Sequence, residues 1–584
     1  MLRFVAPDRS AVMVQGVLAG AYLLGPDSVP IAGEVVVEDG LIRCEKGSRE
    51  AAAVGLQVDL DAQRLEGLGD EFTSEPIIDD IRLQPLGILG LQTCLLPDRD
   101  RPYILSLELA RHRIMLFLTK LEDWQAFDIA PDSQVMRLFN EARNVFTRAL
   151  VASGSRAMGA KQDPQAVQEA SRLGFLSLWI AIEASERLAL MQTRRDFPLR
   201  MSGETYLEVS EEPTINKKSK PVIHPNRGGV VLPTKPAMGS VVSPALLNEQ
   251  TKAAARQACD FVTLPMRWIE LEPLEGEYAY TPTDKWIEWA IRTAKMPVVA
   301  GPVIDFRTQS VPDWLYIWEN DYDTLRELVY EHLKAIVTRY RRTVSRWTVC
   351  SGLHCGEHFK LDFQQMIDLT RICVLVVRKL HPRAKVQVEI VEPWGEYHTS
   401  DRQSLPPVLY AEMLTQSGIP IDTFSLRVQM GSFQSGMRTR DLMAFSAMLD
   451  QYAMLDRPIA ISAIGAPASA LTPKDPSESH PDAGHWRQAW TAQTQAQWVS
   501  AFTAVALSKP YVESICWQEL ADPKGVCEMP TGGLLDGQSQ PRESLGRITE
   551  LRKAVELGNL PDRLMNDALL DAQSLLASAA ETQG

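Results

Sequence analysis

The chain has 584 residues, 45% hydrophobic and 23% charged, with 35 glycines and 37 prolines that follow no period. This is globular composition, and it excludes collagen-like, disordered and disulfide-dense readings. Lys and Arg total 60 against 74 Asp and Glu, a net charge of -14, so phosphate backbones are repelled on average and nucleic acid is excluded as a main partner. At about 100–200 residues per domain the length suits roughly three domains, or one large barrel with an appendage.

The 8 cysteines form no CxxC pair and lie mostly in apolar runs, so they read as buried thiols. No segment reaches the roughly 18 uninterrupted apolar residues of a membrane span. The early apolar stretch from Ala11 to Gly25 is broken by Gln15, follows Asp8-Arg9 and lacks a small-residue cleavage site. It reads as a buried strand rather than a signal peptide, which makes the cytoplasm the default address.

Residues 1–100 carry short β segments between turn signals: Ala11–Leu24, Gly33–Cys44 with the turn-prone Asp39-Gly40, and Ala53–Leu60. They predict a small β-rich module. Residues 101–200 switch to helical spacing in Leu105–Lys120, Ser133–Ala152 and Ala166–Gln192, with helix starts at Pro131-Asp132-Ser133 and Asp163-Pro164. Residues 201–228 are polar, Pro-rich and carry Lys217-Lys218-Ser219-Lys220, which predicts a linker.

From 229 to 557 short β-rich runs alternate with amphipathic helical patterns. The runs are Gly229–Leu232, Phe261–Met266, Val298–Asp305, Trp347–Cys350, Val386–Val391, Thr423–Val428, Ile459–Ile464 and Val512–Trp517. Such alternation predicts an α/β fold, a parallel (β/α)8 TIM barrel. Residues 558–584 read as a C-terminal helical tail.

Ordered anchors in this half carry a resemblance. Phe261-Val-Thr-Leu-Pro-Met-Arg-Trp268 with Glu272-Pro273 and Gly276, then Gly301 through Gln309 to Pro312-Asp313-Trp314, then Arg383-Ala-Lys-Val-Gln-Val-Glu-Ile-Val-Glu392, Gly418-Ile-Pro-Ile-Asp422, Ile515-Cys-Trp517 with Asp522, and Leu534-Leu535-Asp536 with Gln540-Pro541 follow one another as in glycoside hydrolase family 10, the endo-1,4-β-xylanases. The barrel resembles that family. The resemblance implies a catalytic pair of glutamates at the tips of the fourth and seventh strands. Here Trp347-Thr-Val-Cys-Ser-Gly352 stands where the family's run ends in the acid/base Glu, and Ser462-Ala463-Ile464-Gly465 stands where its nucleophile sits. The histidine partner of that nucleophile is replaced by Gln429, and two further family histidines by Pro302 and Arg307.

The family mechanism needs two carboxyl groups about 5–5.5 Å apart, one to protonate the leaving oxygen and one to attack the sugar. Gly352 and Ala463 supply neither proton nor nucleophile. Other carboxylates cluster near strand ends, at Asp305, Glu357, Glu389, Glu392, Glu396 and Glu519. Glu392, with Glu389 or Glu519, is the candidate for a relocated acid/base pair. Because Glu389 and Glu392 are three apart, an ideal strand points only one of them inward. Ion pairing of these glutamates with Arg267, Arg307 or Arg427 is the structural alternative.

Eleven of the 13 tryptophans fall in the barrel half, and indoles offer stacking faces for sugars. Trp268, Trp314, Trp394 and Trp517, at or just past strand ends, are the groove candidates; Trp286, Trp289 and Trp498 have core spacing. Arg267, Glu272, Gln309, Arg427 and Gln429 are candidate hydrogen-bonding residues. His354 and His358 with a carboxylate from another strand would make a zinc site chemically possible, but Gly356 disfavours the helix that would align the two imidazoles; no metal and no cofactor are expected.

The expected function is binding of β-linked poly- or oligosaccharide by a degenerate glycosidase barrel. The alternatives are an active O-glycosyl hydrolase with relocated carboxylates, or a protein–protein scaffold whose partner docks on the N-terminal region.

Overall fold

The computed structural model describes residues 1–566 except 8–10, 15–16, 19, 63, 65–81, 155–162, 206–207, 211–228, 232–234, 357, 401–402, 435, 472–482 and 524–528. Most of the expected linker and of the C-terminal tail therefore lies outside the described residues.

The N-terminal third opens with two small sheets. Leu2–Val5, Gly33–Glu38, Leu41–Lys46 and Tyr103–Ile104 form one; Tyr22–Leu24, Pro30–Ile31, Ala53–Leu60 and Gly87–Gln92 belong to the other. Asp39 and Gly40 both take positive φ, at 49° and 77°, the geometry of a two-residue hairpin turn whose twist matches its strands. Three helices follow, Leu105–Asp123, Gln134–Ala152 and Pro164–Ser202. The starts expected from sequence are real caps: Ser133 Oγ accepts from the Met136 amide, and the Asp163 carboxylate accepts from the Gln165 amide. The third helix is buried nearly all round through its middle, from Leu173 to Leu190, because the other two helices pack on one side and the barrel on the other.

The barrel comprises β1 (Ala237–Val241), β2 (Phe261–Leu264), β3 (Val298–Ala300, resuming at Ile304–Asp305), β4 (Arg346–Ser351), β5 (Lys385–Ile390), β6 (Thr423–Gln429), β7 (Ile459–Gly465) and β8 (Val512–Trp517). All neighbours are parallel, and β8 pairs with both β1 and β7, which closes the ring. Each strand is followed by at least one helix, from Glu249–Ala258 after β1 to Glu543–Leu557 after β8, as the right-handed crossover of a (β/α)8 barrel requires.

One strand differs from expectation. Gly229–Val231 pairs antiparallel with Glu208–Ser210 outside the barrel, and the first stave is Ala237–Val241. Its sequence, Ala-Met-Gly-Ser-Val, gives little β signal because Gly239 must leave room for the Phe261 ring across the sheet.

The N-terminal region shares one continuous core with the barrel. Arg113 reaches from the first long helix to Asp441, the N-cap of the helix after β6. His485–Trp486, from the loop after β7, pairs antiparallel with Gly87–Ile88 and becomes an edge strand of the N-terminal sheet. The N-terminal region is thus packed against the chain's own barrel.

Candidate active site at the barrel mouth

An open pocket lies at the C-terminal ends of the strands, lined from the β2 loop by Arg267, from β3 and its loop by Asp305, Arg307, Gln309 and Ser310, from later strands by Glu389, Arg427, Gln429 and Ser462, and from the loop after β8 by Gln518 and Glu519. This is the working end of a (β/α)8 barrel.

Asp305, Ser351 and Glu389 stand side by side in register at the tips of β3, β4 and β5. Ser351 Oγ donates to Glu389 Oε1 at 2.6 Å, and Arg427 Nε donates to the same oxygen at 3.3 Å. The chain continues across the mouth: Arg427 donates to Gln429 Oε1 at 3.2 Å, and Gln429 Nε2 to Gln518 Oε1 at 2.7 Å. Gln518 occupies the space a side chain at Gly465 would take. At the tip of β3, Arg307 grips Asp305 at 2.9 and 2.6 Å, and Ser310 Oγ adds a bond of 2.9 Å. Burial pushes the Asp305 carboxyl up, but the Arg307 charge and hydrogen bonds outweigh it and hold it below the ordinary carboxylate range.

The tips of β4 and β7 carry no carboxylate. Gly352 has φ +64°, and a Cβ there would lie 3.0 Å from Val391 Cγ2; this left-handed conformation suits glycine and strains other residues. Ala463 is 1% exposed and sits opposite Arg427 in register.

The sequence candidates divide between the mouth and the body of the protein. Glu389, Glu519, Arg267, Gln309, Arg427 and Gln429 line the cavity. Glu392 is not among the lining residues: β5 ends at Ile390, Glu392 turns to φ 46°, and its side chain packs against Gly436. Glu272 is 6% exposed and accepts from the Trp268 indole at 2.8 Å and the Gly276 amide at 2.9 Å, with His332 Nδ1 at 2.9 Å. Burial raises its pKa, but the His332, Gly276 and Trp268 bonds prevail and lower it. Trp268 is buried and stacked on His332 with centroids 4.2 Å apart, and Trp517 is buried with its indole N–H on the Gly532 carbonyl at 3.0 Å. Half-buried Trp314 donates to the Glu272 carbonyl at 3.1 Å, and half-buried Trp394 lies beneath the Arg440 guanidinium. None of the four tryptophans lines the mouth, whose polar lining is amide, guanidinium, carboxylate and hydroxyl.

His354 is fully buried between Tyr397 and Tyr410, and burial lowers its pKa to about 3. Among the described residues no group of three His, Cys, Asp or Glu side chains is placed to hold a metal ion; Glu357 lies outside them. Gln518 and Ser310 were not singled out from sequence. For Gln518 the available signal was its place directly after the Trp517 that ends β8.

Among solved structures the chain is similar to xylanase 10B from Thermotoga maritima, at 18% identity and TM-score 0.42 over 55% of this chain and 97% of that one. Xylanase 10B from Thermotoga petrophila in complex with xylobiose gives 16% identity and TM-score 0.42, covering 55% of this chain and 95% of that chain. Xylanase B from Clostridium stercorarium gives 13% identity and TM-score 0.42, over 54% of this chain and 97% of that chain. The family comparison matches residues 233–525 to glycosyl hydrolase family 10. That match takes in the barrel from just before β1 to the loop after β8, and with it half of the sequence: the chain belongs to glycosyl hydrolase family 10.

Proposed function

We propose that the protein binds β-linked oligosaccharide, of the xylose or glucose series, at the barrel mouth and does not cleave it by the family's double displacement. The observation that carries this reading is the state of the strand tips. β4 ends at Ser351 and is followed by Gly352, and β7 ends in Ala463-Ile464-Gly465, while Asp305 and Glu389 are each committed to an arginine and a serine hydroxyl. A general acid must hold a proton near the working pH. Asp305, whose carboxyl the Arg307 charge and hydrogen bonds hold below the usual carboxylate range, is poorly suited to that role. The same groups suit binding, since guanidinium, carboxamide and carboxylate together donate to and accept from sugar hydroxyls.

A second reading has one observation in its favour: Glu389 and Glu519 line one cavity. An inverting pair needs a separation of about 6.5–9.5 Å and a retaining pair about 5–5.5 Å. Calorimetry with xylo- and cello-oligosaccharides beside a reducing-end assay on the same ligands separates the readings. Heat of binding without new reducing ends is the expected result. Turnover abolished by both Glu389→Gln and Glu519→Gln would replace it with relocated hydrolysis. Neither heat nor turnover would end the carbohydrate reading.

A further inference from the structure

We infer that the mouth takes a short oligosaccharide or the end of a longer chain, not an internal stretch of polymer; this rests on the oligosaccharide reading above. The inference comes from what the loops beyond the strand tips are doing. After β5, Thr399 Oγ1 accepts the Leu23 amide at 3.1 Å. After β6, the Thr439 carbonyl accepts the Gly90 amide at 2.8 Å, and Arg438 donates to the Gly20 carbonyl at 2.9 Å. After β7, His485–Trp486 joins the N-terminal sheet, His485 Nε2 pairs with Asp61 at 2.8 Å, and Arg487 pairs with Glu183 at 2.8 Å.

Three consecutive loops are therefore spent on holding the N-terminal module. Among the described residues none of them beyond its strand tip lines the cavity, whereas the loops after β2, β3 and β8 contribute Arg267, Arg307, Gln309, Pro523 and Met529. One side of the mouth is built for a ligand and the other is built into a wall. The wall is rigid: Glu183, Glu186, Arg487 and Asp441 at its base are at most 3% exposed and mutually bonded or paired with the helices of the module. A groove that crosses the whole barrel face needs both sides open. With one side closed, a ligand can extend from the mouth only over the side that carries Arg267, Arg307 and Gln309.

The test is a length series on the full chain. Calorimetry with xylose through xylohexaose, the corresponding cello-oligosaccharides and soluble xylan is expected to show affinity that levels off within the series, changing less than threefold from the tetraose onward. A bulky fluorophore on one end of the trisaccharide should weaken binding at least tenfold and on the other end should not. Arg267→Ala, on the open side, should weaken every length alike. Affinity that climbs threefold or more with each ring through the hexaose, equal tolerance of fluorophores at both ends, or indifference to Arg267→Ala would each overturn the inference while leaving carbohydrate binding in place. Absence of binding at every length would instead remove the reading on which it rests.

Discussion

Arg113 and Asp441, 328 residues apart in sequence, form a two-pronged ion pair at 2.8 and 2.6 Å with both side chains almost fully buried. Asp441 simultaneously caps its helix by accepting from the Met443 and Ala444 amides. Burial alone would raise its pKa, but Arg113 and the amides hold it down. One carboxylate thus ties the N-terminal helices to the barrel and starts a barrel helix.

Arg113→Ala is expected to destabilise the fold by about 3–5 kcal/mol, the usual cost of stripping one partner from a buried pair. The carboxylate left behind keeps its backbone bonds but loses its countercharge. Chemical denaturation of the full chain measures this, and an unchanged midpoint would mean that the apolar core alone fixes the module to the barrel.

Acid should loosen the same interface at a second point. Asp450, on the helix after β6, accepts from Lys120 at 2.9 Å and Lys509 at 2.8 Å. Burial raises its pKa, but the two ammonium groups outweigh this and bring it to about 2. A depressed carboxyl contributes stability that is complete above its unfolded pKa, near 3.9, and is lost as pH falls through the folded value. The window is therefore about pH 4 to 2, and the contribution about 2–3 kcal/mol. Asp450→Asn should lower stability at neutral pH and flatten the acid limb of the stability profile.

A glutamate placed after β4 should not produce hydrolysis. Gly352→Glu places a non-glycine residue at φ +64° with its Cβ 3.0 Å from Val391 Cγ2, a conformational cost of about 1–2 kcal/mol. Without a carboxylate at Ala463 there is still no nucleophile on β7. Release of reducing ends from xylo-oligosaccharides by this variant would show that the present mouth already holds the second group.

Arg427 links Glu389 to Gln429. Replacing it with Met keeps bulk and removes the charge, so Glu389 loses its cation and Gln429 its orientation. Oligosaccharide affinity is expected to fall about tenfold or more, the scale of a lost charged hydrogen bond. Calorimetry on the folded variant reads the loss, and wild-type affinity would place the ligand elsewhere.

Much of this was legible locally. Ser133 and Asp163 marked helix starts because capping chemistry acts within three residues, and the strand–helix alternation marked the barrel because β and helical periods differ. The first stave was not legible, since its Gly239 and Ser240 serve packing against Phe261 and the Trp517 backbone, contacts that lie across the sheet. The tryptophans misled for a related reason. Residue type shows that an indole wants burial with one polar contact; it does not say whether a sugar or the protein provides them, and Trp268 and Trp517 obtain both from Glu272, His332 and Gly532.

By itself the sequence determined the repeating architecture and the absence of ionisable groups at Gly352 and Ala463, because both are written in adjacent residues. Which carboxylates face the mouth, and which arginines neutralise them, was decided only by the closed ring. Glu389 points inward and Glu392 away because β5 stops at Ile390, and Arg427 reaches Glu389 from the neighbouring strand. Charge pairing depends on distances in space, and only the fold sets those.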